Sequence, residues 1–153
     1  MNVQAILDAK GGGDVYVMGQ GDSLADFVRK ACELEVGAML IADDEAEILG
    51  IITERDILRQ CNAGADFKKV KVRDVMTRQL AVVQADDDIK TAMDCMITLK
   101  IRHLPVLSGK EIAGLITIRD LILAMRQADD RETRQFVEYL RRSLEARGVS
   151  ATE

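Results

Sequence analysis

Thr53, Arg55 and Asp56 follow the apolar run Gly50-Ile51-Ile52, and 64 positions later Thr117, Arg119 and Asp120 follow Gly114-Leu115-Ile116. A hydroxyl, a guanidinium and a carboxylate within four residues can do two kinds of work. At the junction of a strand and a helix, free backbone N–H groups and the helix dipole favour a phosphate beside the threonine. The aspartate three residues on lies in the same first turn. There it can accept two hydrogen bonds from the vicinal hydroxyls of a ribose, as a comparable acid does in dinucleotide-binding folds. Such an anionic group faces the sugar and not the phosphate. Arg55 and Arg119 either reach phosphate or face solvent. The same Thr-x-x-Asp spacing also describes a plain helix start, an N-cap with an acid at the third position. Its occurrence at two equivalent places favours paired binding sites over one catalytic centre.

The elements needed to position these groups are duplicated as well. Tyr16-Val17-Met18 corresponds to Ala81-Val82-Val83, both short strand-like runs. Ser23 and Asp88 are helix starts, because their side chains accept bonds from first-turn N–H groups. Leu24, Phe27, Val28, Ala31 and Leu34 keep helical spacing, as do Ile89, Ala92, Met93, Met96 and Ile97. Strands follow at 38–41 and 104–107, then turns around Asp43-Asp44-Glu45 and Ser108-Gly109-Lys110, then strands at 48–52 and 112–116. The second turn is one residue shorter, so the repeat offset changes from 65 to 64. Each copy reads β-α-β-β-α with a short lead-in helix, at 3–10 and 72–77, and 62–70 forms the linker. The expected organisation is repeat 1 over 1–61, repeat 2 over 71–126, and a charged amphipathic helix and tail over 127–153. A unit of about 60 residues buries too little surface to stand comfortably alone. The fold class expected is therefore α/β (α+β), with two repeats packed sheet on sheet in pseudo-two-fold symmetry and a C-terminal helix. Phe136, Val137, Leu140 and Leu144 share one stripe of that helix, which either packs on its own module or meets a second copy.

Bulk composition removes several function classes. The 153 residues carry a net charge of −5, with 3% aromatics and no Trp, which disfavours nucleic acid as the main partner. The three cysteines, Cys32, Cys61 and Cys95, are odd in number and lack a C-x-x-C pair, so small apolar filler in a reducing compartment is expected. The start Met1-Asn2-Val3-Gln4 has no basic, apolar leader pattern, and no apolar run approaches the roughly 20 residues that cross a bilayer. A cytoplasmic protein without a membrane segment is expected. Gly11-Gly12-Gly13 lacks the Gly-Lys-Ser/Thr end of a P-loop, and Gly19-Gln20-Gly21 lacks the third glycine of a dinucleotide fingerprint. Asp86-Asp87-Asp88 has no calcium-loop spacing. His103 is the lone histidine, with neither a ligand cluster nor a nucleophile specified beside it, so no metal site and no catalytic residue is expected.

Three signatures give the chain a family likeness: Asp74-Val75-Met76-Thr77, Ile101-Arg102-His103-Leu104-Pro105-Val106, and Ile-Thr-x-Arg-Asp closing both repeats. In order and duplicated, they resemble the cystathionine-β-synthase (CBS) domain family, specifically a tandem CBS pair, over residues 1–126. The resemblance implies adenine nucleotide binding in two clefts between the repeats. AMP or NADH is favoured, with ATP, ADP and S-adenosylmethionine as further possibilities. It further implies a stand-alone, non-enzymatic regulatory module that signals to a separate partner protein, and a homodimer. A ligand-independent homodimeric scaffold is the alternative. On family positions Arg102 and His103 are phosphate contacts, and a structural strand histidine is the other reading of His103. Gly37 and Ala38 stand in their place in the first repeat, so the two sites are unequal. Lys10 either meets a phosphate or is a solvated lysine beside a glycine C-cap. Val17, Met18, Val82 and Val83, with Pro105 nearby, are the expected adenine walls.

Overall fold

The computed structural model describes residues 1–12, 15–45, 47–127 and 131–145, the side chains of 131–133 and 143–145 excepted. In order the elements are α1 (Val3–Ala9), β1 (Val17–Gly19), α2 (Leu24–Leu34), β2 (Ala38–Ala42), β3 (Ile48–Thr53), α3 (Glu54–Asn62) and α4 (Val72–Val75). Then follow β4 (Val83–Gln84), α5 (Ile89–Leu99), β5 (His103–Ser108), β6 (Glu111–Thr117), α6 (Ile118–Gln127) and α7 (Arg131–Glu145). They form two compact units, Asp14–Val82 and Met1–Gly13 with Val83–Glu153. Each unit is mixed α+β and contains one three-stranded sheet, β1-β2-β3 or β4-β5-β6.

In both sheets the first strand runs parallel to the central one and the third antiparallel. The register slips at the same place in each, Ile41/Ala42 and Val106/Leu107. α2 opens on Ser23, whose hydroxyl accepts from Asp26 N at 3.1 Å, and α5 opens on Asp88, which accepts from Lys90 N at 2.9 Å. In return the Asp26 carboxylate accepts from the Ser23 hydroxyl and N–H, bonds that hold its pKa down at about 2. Both helices end on a left-handed residue, Glu35 and Lys100.

One difference between the sheets has a simple cause. Leu40 N donates to Tyr16 O at 3.0 Å, and Val17 pairs with Leu40. Pro105 stands at the equivalent of Leu40 and has no N–H to give. Pairing of β4 with β5 therefore starts one residue later, at Val83 and Val106, and Val82 is left outside the strand.

The lead-in segments are exchanged. α1 belongs to the unit of the second repeat, whereas α4 lies in the unit of the first. The expected ranges 1–61 and 71–126 follow chain order, and the compact units do not. Glycines in the third strands accommodate the exchange. A Cβ at Gly114 would stand 2.5 Å from Leu7 Cδ2, and one at Gly50 would stand 2.8 Å from Met76 Sδ. Backbone bonds complete the fit: Val3 N to Asp87 O at 2.9 Å in one unit, Ile51 N to Thr77 O at 3.0 Å in the other. After α1, Gly11 and Gly12 turn the chain with φ of 75° and 98°, a region costly for side-chain-bearing residues.

The core of the Asp14–Val82 unit is Met18, Leu24, Phe27, Met39, Ile41, Ile52, Val72 and Met76. In the other unit Leu7, Val83, Met93, Met96, Leu104, Ile116 and Leu121 are buried. α7 packs against α6, with Leu140 buried, Phe136 and Val137 half-buried, and Tyr139 exposed. Asp129, the Leu144 side chain and Arg147 lie outside the described residues. Cys32 and Cys61 are exposed and only Cys95 is partly covered, so the cysteines are not the core filler expected from their type. Among the described residues, no helix is long and apolar enough to cross a membrane.

Candidate functional site

In the unit containing β6, the sheet runs directly into α6 at Thr117. The Asp120 carboxylate folds back on that junction, where its Oδ2 accepts from Thr117 N at 2.7 Å and from Thr117 Oγ1 at 2.9 Å. Asp120 N donates to Thr117 Oγ1 at 3.2 Å, closing a reciprocal cap. The same Oδ2 receives the Lys10 ammonium at 2.9 Å, and Lys10 also donates to Leu115 O at 3.1 Å. Lys10, though exposed, is thus ion-paired with this acid, and it stands at the C-terminal end of α1. His103 sits directly across the sheet from Thr117, Pro105 across from Leu115, and Ile118 N donates to Arg102 O at 3.0 Å. Arg102 and Arg119 are exposed and His103 is half-buried.

The other unit repeats the pattern at Thr53. Asp56 Oδ2 accepts from Thr53 N at 2.9 Å and from Thr53 Oγ1 at 3.2 Å. Among the described residues, no lysine of a lead-in helix is paired with this acid. The cation is Arg59, one turn along the same helix, 3.4 Å from Oδ1. Asp56 is buried at 7% exposure while Arg55 beside it is exposed. Ala38 pairs with Thr53 as His103 pairs with Thr117.

Strand alternation splits the four proposed wall residues. Met18 and Val83 are buried at 2% and 4%, whereas Val17 and Val82 are exposed at 47% and 38%. Met18 packs in the core of its unit, so the outward side chain of each pair is the valine at 17 or 82.

Two groups escaped the sequence reading. Arg59 was legible from its i, i+3 spacing to Asp56. Glu54 carries a weaker signal, the mismatch with Ile118 inside an otherwise matched motif. Its carboxylate lies against Gly37, where a Cβ would stand 2.9 Å from Oε1.

The surroundings of the Asp120 carboxyl act on it in opposite directions. Burial pushes its pKa up, but hydrogen bonds from Lys10 and from Thr117 N–H and hydroxyl outweigh that and hold it below the ordinary carboxylate value. A carboxyl lowered in the native state stabilises the fold fully above its unfolded pKa, and that contribution disappears as pH falls through the native value. Lys10→Gln is expected to remove much of this dependence. The variant should lose less stability than the parent between pH 7 and pH 3, read from urea midpoints; an equal loss in both would refute the coupling. Among the described residues, no group of three His, Cys, Asp or Glu side chains is placed to hold a metal ion.

A duplicated α+β unit with an acid-capped strand–helix junction in each copy defines a tandem-repeat protein. The CBS domain matches residues 14–62 and 72–127, and the chain belongs to the CBS domain family as a tandem pair. It is 32% identical over 124 residues to the mitochondrial CBS domain-containing protein CBSX3 of Arabidopsis thaliana, covering 78% of this chain and 60% of that one. Among solved structures, a putative signal-transduction protein with CBS domains from Burkholderia ambifaria superposes with a TM-score of 0.80 at 31% identity, covering 85% of this chain and 97% of that one. A CBS domain protein from Pyrobaculum aerophilum, solved in complex with AMP, has the same fold at 18% identity and a TM-score of 0.72, covering 91% of this chain and 99% of that one.

Proposed function

We propose that this chain is a regulatory module that binds an adenine nucleotide, AMP or NADH, at its strand–helix junctions and passes its occupancy to a separate partner protein. The observation that carries this reading is the paired junction. In each unit a carboxylate at the third helical position is held by the preceding threonine through Oδ2, which leaves Oδ1 of Asp120 to accept ribose hydroxyls. Asp56 and Asp120 are the ribose acids. Thr117 with Arg102 and His103 forms the phosphate side, and Val17 and Val82 offer apolar faces to the base. The AMP complex of the Pyrobaculum relative and the signal-transduction name of the Burkholderia relative support the ligand class and the role. Signalling requires that the ligand bind one arrangement of the module better than another.

The test is a thermal-shift series with AMP, ATP, NADH and S-adenosylmethionine. A ligand at 100 times its dissociation constant adds about 2.7 kcal/mol, or roughly 5–10 °C for a chain of this size. AMP or NADH is expected to give that shift, and Asp56→Ala/Asp120→Ala to abolish it relative to its own ligand-free baseline. No shift with any of the four would overturn the reading.

A further inference from the structure

The two junction carboxylates differ in where their cations come from. Lys10, the C-cap of α1, donates to Asp120 Oδ2 at 2.9 Å and to Leu115 O at 3.1 Å, so one side chain joins α1 to both α6 and β6. In the other unit Asp56 is paired at 3.4 Å with Arg59, a residue of its own helix. The lead-in helix there, α4, is fastened through main chain: Thr77 N donates to Ile51 O at 2.9 Å and Ile51 N to Thr77 O at 3.0 Å. Neither bond involves the acid. The two ends of α1 differ as well. Its first turn is pinned by Val3 N to Asp87 O at 2.9 Å and Gln4 N to Ala85 O at 2.8 Å. Beyond Lys10 the chain turns away through Gly11 and Gly12 at positive φ. The last turn is thus held to the site by an ion pair whose Lys10 and Asp120 side chains are 32% and 16% exposed.

An ion pair this open to water contributes little by itself. It is also open enough for a ligand to reach. An ammonium has three N–H donors, and two of those on Lys10 are spent on the protein. We infer that Lys10 couples the Asp120 junction to α1: a ligand phosphate bound there takes the third N–H and tightens the last turn of α1 onto β6, whereas filling the Asp56 junction leaves α4 as it is. This inference rests on the adenine reading above and names the arrangement of the module that the ligand favours. A bond from ammonium to phosphate is charge-assisted, roughly twice as strong as a neutral one. The last turn of α1 then has two arrangements, held and frayed, and the nucleotide binds the held one better. Linkage makes the effect reciprocal, since holding α1 favours the nucleotide by the same factor that the nucleotide favours holding α1.

Amide hydrogen exchange of the full chain, read by NMR with AMP or adenosine at concentrations that calorimetry shows to be saturating, tests it. AMP is expected to slow exchange at Ala9, Lys10 and Gly12 by at least about fivefold, and adenosine, which lacks the phosphate, by less than about twofold. Exchange at Met76 and Thr77, the end of α4, is expected to stay within about twofold with either ligand. Lys10→Met keeps the stem of the side chain and removes the charge. It is expected to abolish the AMP effect on α1 with the ligand still saturating, and Lys10→Arg to retain part of it. AMP bound without slowing at α1, equal slowing by adenosine, equal slowing at α4, or unchanged slowing in Lys10→Met would overturn the coupling alone. Failure of both ligands to bind in the calorimeter would overturn the adenine reading itself.

Discussion

Leu7→Ala is expected to destabilise the chain by about 2–5 kcal/mol, the usual cost of removing a buried leucine side chain when its surroundings cannot collapse. Leu7 is 2% exposed and lies over the glycine of β6, so its loss opens a cavity where α1 meets the sheet. The consequence reaches the site. α1 is also the element that carries Lys10 to Asp120, and a loosened α1 should weaken that ion pair. Urea unfolding of parent and variant measures the effect. A loss below about 1 kcal/mol would show that α1 is not anchored by this contact. Gly114→Ala offers a second reading of the same contact: a methyl at 114 crowds Leu7 in the parent and partly refills the cavity in Leu7→Ala. The two changes should therefore be less damaging together than their separate costs imply, the non-additivity typical of touching residues.

Gly50→Ala is expected to cost about 1–3 kcal/mol through overpacking, and more than Gly114→Ala. The two glycines occupy equivalent places in β3 and β6, yet their neighbours differ in kind. At Gly50 the new methyl would stand 2.6 Å from Thr77 O, a backbone carbonyl that accepts from Ile51 N at 3.0 Å and is fixed by that bond. At Gly114 the nearest atoms all belong to the Leu7 side chain, which can change rotamer. Crowding against a flexible side chain is relieved cheaply, whereas crowding against a paired carbonyl must distort the ladder. Thermal or urea denaturation of both variants gives the order, and a larger loss in Gly114→Ala would sink this account.

Much of the fold was legible because its signals are local. Helical spacing behind Ser23 and Asp88, the apolar strands and the turn between β5 and β6 each depend on residues close in sequence. Both capped starts formed as the side-chain chemistry requires. The cysteines misled because residue type is a poor guide on an amphipathic helix. Cys32 on α2 and Cys61 on α3 are exposed, since position on the helix outweighs the average habit of the residue. The valine pairs were ambiguous for a related reason. Strand alternation requires one of Val17 and Met18 to face inward, but which one depends on the pleat.

The duplicated Thr-x-x-Asp, its place at the end of a strand, and the asymmetry of Gly37-Ala38 against Arg102-His103 were all written in the sequence, because repeats and caps are short-range patterns. Only the tertiary structure decided that the lead-in helices are exchanged, and with them the cation on Asp120. Lys10 and Asp120 are 110 residues apart, and no periodicity links groups at that separation. Their pairing follows from a shape match, Leu7 against Gly114, which exists only once α1 has packed on a sheet formed by the far end of the chain.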